Sequence, residues 1–537
     1  MQVGRVLRAS VVVVGVLAAP ALAISHAAAG GERFYREGVT PSGNAVEAVV
    51  QGDLRLPSTQ VPCSNCHRRS RWGGFEGAIS VPAVVADVLF QPVTRGRQEM
   101  GPLRTTGPGT RPAYTEASLV RAIRDGIDPA GRALSPTMPR YAVGGADAAA
   151  LVAYLRTPSP PAPGVSADTV HFATVVAANV SAERRAAMLD VLRTFVARKN
   201  GGTRAERRRR ERGPWDMQQH YSQYRDWRLH EWTLEGLPAS WPAQLEAHYA
   251  AQPVFALIGG LADSDWTPVH DFGERFGIPV VFPQALLPHL GAAEESFYSL
   301  YFSRGVALEA DTLAAVVTRS APAFRLVQLA RCGTAGHVAA ETLRRALSSN
   351  GAPWTECVDR LTALGRDWWQ ARVEQGNVLV LWLDADDIET LASSQIAPEL
   401  TRFDHVYLSS TLLGDAAPRL AQALTRKASL LHQFVAPDRF DHHAWRSLLW
   451  LKANGIVPSD RRIAVNALFA ATLAADALSH PRALDSREYF IERVEHMVER
   501  SPTPSAYPAL RLGALRRYAS TTCDVVPVVP VPAPASP

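Results

Sequence analysis

The sequence predicts two domains of different class: a small all-α domain, then a larger α/β domain whose parallel sheets form two lobes. Three observations predict this. The chain has 537 residues, more than a single core of ordinary size organises. A proline-rich spacer, Thr157-Pro158-Ser159-Pro160-Pro161-Ala162-Pro163-Gly164, interrupts it. Before the spacer the apolar pattern has a helical period; after it, short apolar strand-like runs alternate with amphipathic helical ones.

The opening stretch, residues 1–23, stands outside either fold. Arg5 and Arg8 precede an apolar run from Ala9 to Leu17, followed by Pro20 and Ala21-Leu22-Ala23, the layout of a secretory signal peptide. The run is shorter than the roughly 20 residues needed to cross hydrocarbon, so no membrane span is expected after cleavage. Export to a bacterial periplasm follows. The net charge is only +5, and much of the basic character lies in Arg204 to Arg212, read as a solvated helix end or surface loop. An exported chain with this balance is not a nucleic-acid binder.

The first domain is expected over residues 30–156. Glu32 to Gly38 reads as a short helix closed by glycine, Leu119, Ala122 and Ile123 give a second helix its apolar face, and a third begins near Asp147. Between the first two stands Cys63-Ser64-Asn65-Cys66-His67. Two thiols three positions apart, followed at once by an imidazole, form the haem c attachment pattern: Cys63 and Cys66 make thioethers to the porphyrin, and His67 takes the iron from the proximal side. A structural zinc site would want a second pair of cysteines, and no other Cys-x-x-Cys occurs. One haem c is therefore expected. Three short helices make a weak core, and the porphyrin would supply the missing apolar surface.

The sixth iron ligand is assigned to Met138, in the proline-bracketed run Ser135-Pro136-Thr137-Met138-Pro139-Arg140-Tyr141, with Met100 in reserve. A thioether favours the ferrous state, which suits an electron carrier rather than an enzyme; haem catalysis would need an open position. Phe34 to Arg156, by the attachment motif, the Met138 to Tyr141 run and a final helix ending Ala153-Tyr154-Leu155-Arg156, resembles a class I cytochrome c. That resemblance implies that the first and last helices cross, bringing Phe34 or Tyr35 against the Leu151 to Leu155 face, and it implies a redox partner protein.

The second domain is expected over residues 165–526. Strands are read at Val170 to Val176, Trp227 to Leu234, Val254 to Ile258, Pro279 to Phe282, Phe324 to Ala330, Val378 to Leu383 and His405 to Leu408, with helices between most of them. The runs Ala256-Leu257-Ile258-Gly259-Gly260, Phe276 to Pro283 and Phe302-Ser303-Arg304-Gly305 resemble a type I periplasmic binding protein of the branched-chain amino-acid receptor kind. The resemblance implies two lobes with a cleft for a small-molecule ligand. Ligands in such sheets sit beyond the carboxyl ends of strands, which makes Asp263, Ser264, Asp265, Trp266, Gln284 and Ala285 the candidate cleft residues. Arg331 to Thr334, Asp384, Asp386, Asp387 and Ser409 to Thr411 occupy similar positions. The hydroxyl residues usual in amino-acid receptors are missing after two of these strands, so a cationic, alcohol-like or aromatic ligand, or none, is the expectation. Cys332 and Cys357 fall at the end of one predicted strand and within the next, and in an oxidising compartment they can pair; two buried free thiols are the other reading. The tail, residues 527–537, is proline-rich and expected to be disordered.

Overall fold

The computed structural model describes residues 18–76, 79–93, 110–158, 162–211, 225–291, 296–319, 325–348, 353–480 and 483–528. The chain divides into two compact units, 1–161 and 162–537. Met100, most of the signal-like stretch and most of the tail lie outside the described residues.

In the first unit the helices are Ala18–Glu37, Cys63–His67, Ala86–Leu89, Glu116–Asp125 and Gly145–Arg156. It is not all-α. Strands β1 (Glu47–Val50), β2 (Leu54–Pro57), β3 (Gly74–Glu76), β4 (Ile79–Val81) and β5 (Arg140–Tyr141) form a three-stranded antiparallel sheet, β2-β1-β5, and a separate β3-β4 hairpin. The correction has a local cause. Gln51 and Gly52 both take positive φ, 56° and 92°, which closes a tight hairpin between β1 and β2.

The first and last long helices share one core. Phe34, Tyr35, Leu151, Val152, Tyr154 and Leu155 are buried together, and the rings of Tyr35 and Tyr154 stand 5.5 Å apart. Gly31 marks the closest approach: a Cβ there would lie 2.1 Å from the Ala150 carbonyl oxygen. Only a residue without a side chain allows the two backbones to come so near. The Glu116–Asp125 helix is closed at both ends, by a Thr115–Ser118 capping box and by left-handed Gly126.

Among the described residues the second unit holds two sheets. The first contains β6 (Thr169–Ala177), β7 (Asp226–Leu234), β8 (Ala256–Ile258), β9 (Leu261–Asp265), β10 (Val280–Val281), β11 (Gln284–Leu287) and β12 (Ser299–Leu300), in the order β11-β9-β6-β8-β10-β12 with β7 paired along β6. All its pairings are parallel. The second contains β13 (Leu326–Arg331), β14 (Trp354–Val358), β15 (Val378–Trp382), β16 (His405–Ser409), β17 (Ala428–His432) and β18 (Asp524–Pro527), in the order β14-β13-β15-β16-β17-β18. Only β18 runs antiparallel.

Covered on both faces by helices, the central strands read as unbroken apolar runs. All five residues of β15, Val-Leu-Val-Leu-Trp, are buried. Trp382 satisfies its indole N–H on Gln328 at 2.9 Å. The arginine-rich stretch forms the end of a helix that begins at Ala182 and runs to Glu211. Cys332, one residue beyond β13, is joined to Cys357 on β14 by a disulfide, with 4.9 Å between α-carbons.

Candidate functional site

In the first unit the Cys63-x-x-Cys66-His67 run is one helical turn, entered from Pro62 in extended conformation. A spacing of three puts both sulfurs on the same side of that turn. Cys63 packs against the core that holds Phe34 and Tyr141, and burial pushes its thiol up to about 11. Three hydrogen bonds between the turn or its flanks and residues distant in sequence fix it. Ser64 donates to the Arg36 carbonyl (3.0 Å), Tyr35 donates to the Arg68 carbonyl (2.7 Å), and Tyr141 donates to the Val61 carbonyl.

His67 is oriented by its Nδ1, 2.9 Å from the Pro82 carbonyl oxygen. A carbonyl can only accept, so Nδ1 carries the proton, and the lone pair is left on Nε2. A metal-binding histidine needs this arrangement. Burial lowers the pKa of the ring, and the Pro82 contact partly opposes the shift.

The two thiols and the imidazole do not converge on a single point. Among the described residues the one set of three or more His, Cys, Asp or Glu ligand atoms within reach of a common ion is His270, Asp271 and His289, in the other unit. A zinc ion needs its ligands gathered around it. A haem c does not, because its vinyl carbons and its iron are separate attachment points; the donor set therefore fits a haem. The His270 set makes a poor metal site: the His270 and His289 rings are stacked 4.0 Å apart at 7°, and two parallel rings cannot both aim an in-plane lone pair at one ion.

Met138 lies half-buried in the loop entering β5. Its N–H donates to the Ser135 carbonyl (3.1 Å), and the loop is tied back by Gln51 N–H on the Pro136 carbonyl (2.9 Å). Tyr141, immediately after, joins the same core edge-on to Phe34 at 5.6 Å. One short strand thus links the methionine loop to the segment that leads into Cys63.

In the second unit the six candidate cleft residues lie on or one position beyond the paired strands β9 and β11, and most of their polar groups are engaged within the fold. Gly259 and Gly260 turn the chain with φ of 66° and 130°, and it re-enters the sheet at Leu261, so Asp263, Ser264 and Asp265 belong to β9 instead of a loop beyond β8. Both Asp263 carboxylate oxygens accept from Arg184, at 2.5 and 2.6 Å. Asp265 accepts from Thr267 N–H at the start of the next helix. Trp266 is fully buried, and its indole N–H has no hydrogen-bond partner. Gln284 donates to the Ile463 carbonyl (3.1 Å) and accepts from Asn466 (3.3 Å). Ala285 pairs with Ala262 inside the sheet. Two surface cavities, of about 580 and 430 Å³, lie elsewhere, the first between the Ala182–Glu211 helix and residues 455–459, the second beside Cys523.

The other strand ends are also engaged internally. Arg331 pairs with Asp387 at 3.0 Å. Ser409, Ser410 and Thr411 all donate to Glu309, a fully buried carboxyl on the helix Val306–Arg319; the Thr411 hydroxyl and N–H lie at 2.6 and 3.1 Å. Burial raises Glu309 to about 7 against those hydrogen bonds. Glu309 escaped the reading of the sequence, although a signal existed: it is an acid on the apolar stripe marked by Val306, Ala310 and Leu313. Nearby, Asp415 accepts from the N–H of Arg461 (2.7 Å) and pairs with Arg462 (2.8 Å). Arg462 also donates to the Ser410 carbonyl at 3.1 Å.

No known family model matches the sequence, and no curated protein matches it. Solved structures do. A type 1 periplasmic binding protein from Bordetella pertussis Tohama I aligns with TM-score 0.46 at 15% identity, over 66% of this chain and 94% of its own. A fatty acid ABC transporter substrate-binding protein from Thermomonospora curvata gives 0.46 at 13%, over 68% and 90%. An ABC transporter substrate-binding protein from Desulfitobacterium hafniense, in complex with Leu, gives 0.45 at 14%, over 67% and 96%. The α/β character of the second unit follows from its own strand order and pairing.

Proposed function

We propose that this is an exported protein whose first unit carries one covalent haem c and passes single electrons, and whose α/β unit recognises a ligand or a partner. The observation that carries the reading is a Cys-x-x-Cys-His turn whose histidine has its Nδ1 proton committed to Pro82. When bound, the haem supplies a one-electron couple. The chain supplies the rest. Cys63 and Cys66 would hold the porphyrin covalently, the Pro82 contact keeps Nε2 of His67 available, and Met138 offers a thioether from a tethered loop. With His67 and Met138 both engaged by the iron, the protein would serve as an electron carrier, not an enzyme, acting with a redox partner in the periplasm. Among the described residues no helix is long and apolar enough to cross a membrane.

The optical spectrum tests this reading. The full-length exported protein is expected to be red, with a far-red Met-to-iron band when oxidised, and Met138→Ala is expected to remove that band while leaving the covalent haem in place. Colourless protein with both thiols of the motif open to alkylation would end the proposal.

A second reading makes capture of a small molecule the main role and the haem its accessory. It is favoured by two sheets, parallel but for β18, whose strands β9, β13 and β15 lead into helices just beyond their carboxyl ends, and by the unpartnered indole N–H of Trp266 after β9. Redox titration of the holoprotein with and without candidate ligands separates the two: a ligand that raises the thermal midpoint and shifts the potential supports the receptor, and a flat screen supports the carrier.

A further inference from the structure

The segment from Leu134 to Pro139 holds Met138 without regular secondary structure of its own, so something other than a strand or helix must fix its shape. Arg140 lies at its end, its backbone held in β5 opposite Val49. Its guanidinium turns back over the loop. One terminal nitrogen donates to the carbonyls of Leu134 (3.0 Å) and Ser135 (3.1 Å), and the other donates to the carbonyl of Met138 itself. No carboxylate among the described residues pairs with it. A planar fork of five donors can gather several carbonyls at once, which a lysine ammonium cannot do with the same geometry.

Gly126 completes the arrangement. It has φ of 68°, and a Cβ there would lie 1.8 Å from Arg140 Nε. The guanidinium therefore occupies space that only glycine leaves open, and Leu134 N–H donates to the Gly126 carbonyl at 2.7 Å. Positive φ explains glycine at a helix end, but it does not explain an arginine packed onto its α-carbon.

We infer that Arg140, seated on Gly126, is the positioning residue for Met138: it gathers the carbonyls on both sides of the loop so that the thioether is presented in one orientation. The inference rests on the reading of Met138 as an axial ligand. A thioether bonds iron weakly, and an axial methionine on a loose loop is readily displaced.

The test uses full-length holoprotein as wild type, Met138→Ala, Arg140→Gln, Arg140→Lys, Gly126→Ala and the Arg140→Gln/Gly126→Ala double variant. Three quantities are read per mole of covalent haem: the far-red band, the pH at which it disappears, and the reduction potential. Arg140→Gln is expected to lose at least half the band at neutral pH, or to lose it at lower pH than wild type, and to have a lower potential. Arg140→Lys should be intermediate, Gly126→Ala should resemble Arg140→Gln, and the double variant should lose no more than either alone. A wild-type band, pH and potential in Arg140→Gln would overturn the inference. If Met138→Ala keeps the band, the ligand assignment fails instead, and hydrogen exchange of residues 134–138 then decides the role of Arg140: faster exchange in Arg140→Gln supports it, and unchanged exchange overturns it.

Discussion

Glu309 shows how one buried acid organises its surroundings. Two serine hydroxyls, a threonine hydroxyl and a backbone N–H all point at its carboxylate, yet burial outweighs them and raises it to about 7. Because the folded state holds this proton more tightly than the unfolded one, the group's contribution to stability is fully present below about pH 4.5 and is lost as the pH rises to about 7. At most about 3 kcal/mol is at stake. Glu309→Gln keeps the shape and one acceptor without the charge. Denaturant unfolding at pH 8 is expected to find the variant more stable than wild type by roughly 1–3 kcal/mol, with the difference shrinking toward zero near pH 5. An equal gap at both pH values would show that ionisation is not the cause.

At the scale of elements, two contacts join segments remote in sequence. The Ala18–Glu37 and Gly145–Arg156 helices touch through Gly31, where a methyl group would sit on the Ala150 carbonyl oxygen. Gly31→Ala is expected to destabilise the first unit by about 1–3 kcal/mol through overpacking, despite the better helix propensity of alanine, read as a lower melting temperature of the full-length protein followed at the far-ultraviolet helix signal. In the other unit the disulfide closes a loop with a sequence separation of 25 residues. Opening it with a Cys332→Ser/Cys357→Ser pair is expected to cost about 3 kcal/mol, read by denaturant unfolding. The cleft residues show why elements matter more than motifs: a two-residue glycine turn moved Asp263 to Asp265 from a loop into a strand, where Arg184 neutralises Asp263.

For the whole molecule, His270 opposes Glu309. Burial, with the stacked His289 adding to it, holds His270 down to about 4. The stability this neutral imidazole contributes is therefore present above about pH 6.5 and is lost as the pH falls toward 4. Between those limits the two groups push stability in opposite directions. Wild-type stability is expected to vary less with pH between 5 and 6.5 than that of Glu309→Gln, which keeps only the histidine slope; parallel profiles for the two proteins would contradict it.

The sequence alone carried the signals that rest on neighbours along the chain. Cys63, Cys66 and His67 fall within five residues, and their covalent spacing is itself the signal; the proline spacer and the alternation of apolar periods are local in the same way. Short strands in the first unit were missed because β1 and β5 hold only a few residues each and are recognisable only once paired across about 90 positions. Which hydroxyls face an acid, which aspartates are neutralised, and that Arg140 bends back over the loop it follows were decided by tertiary structure alone. Such contacts depend on where distant backbone lies, and a spacing rule carries no information about that.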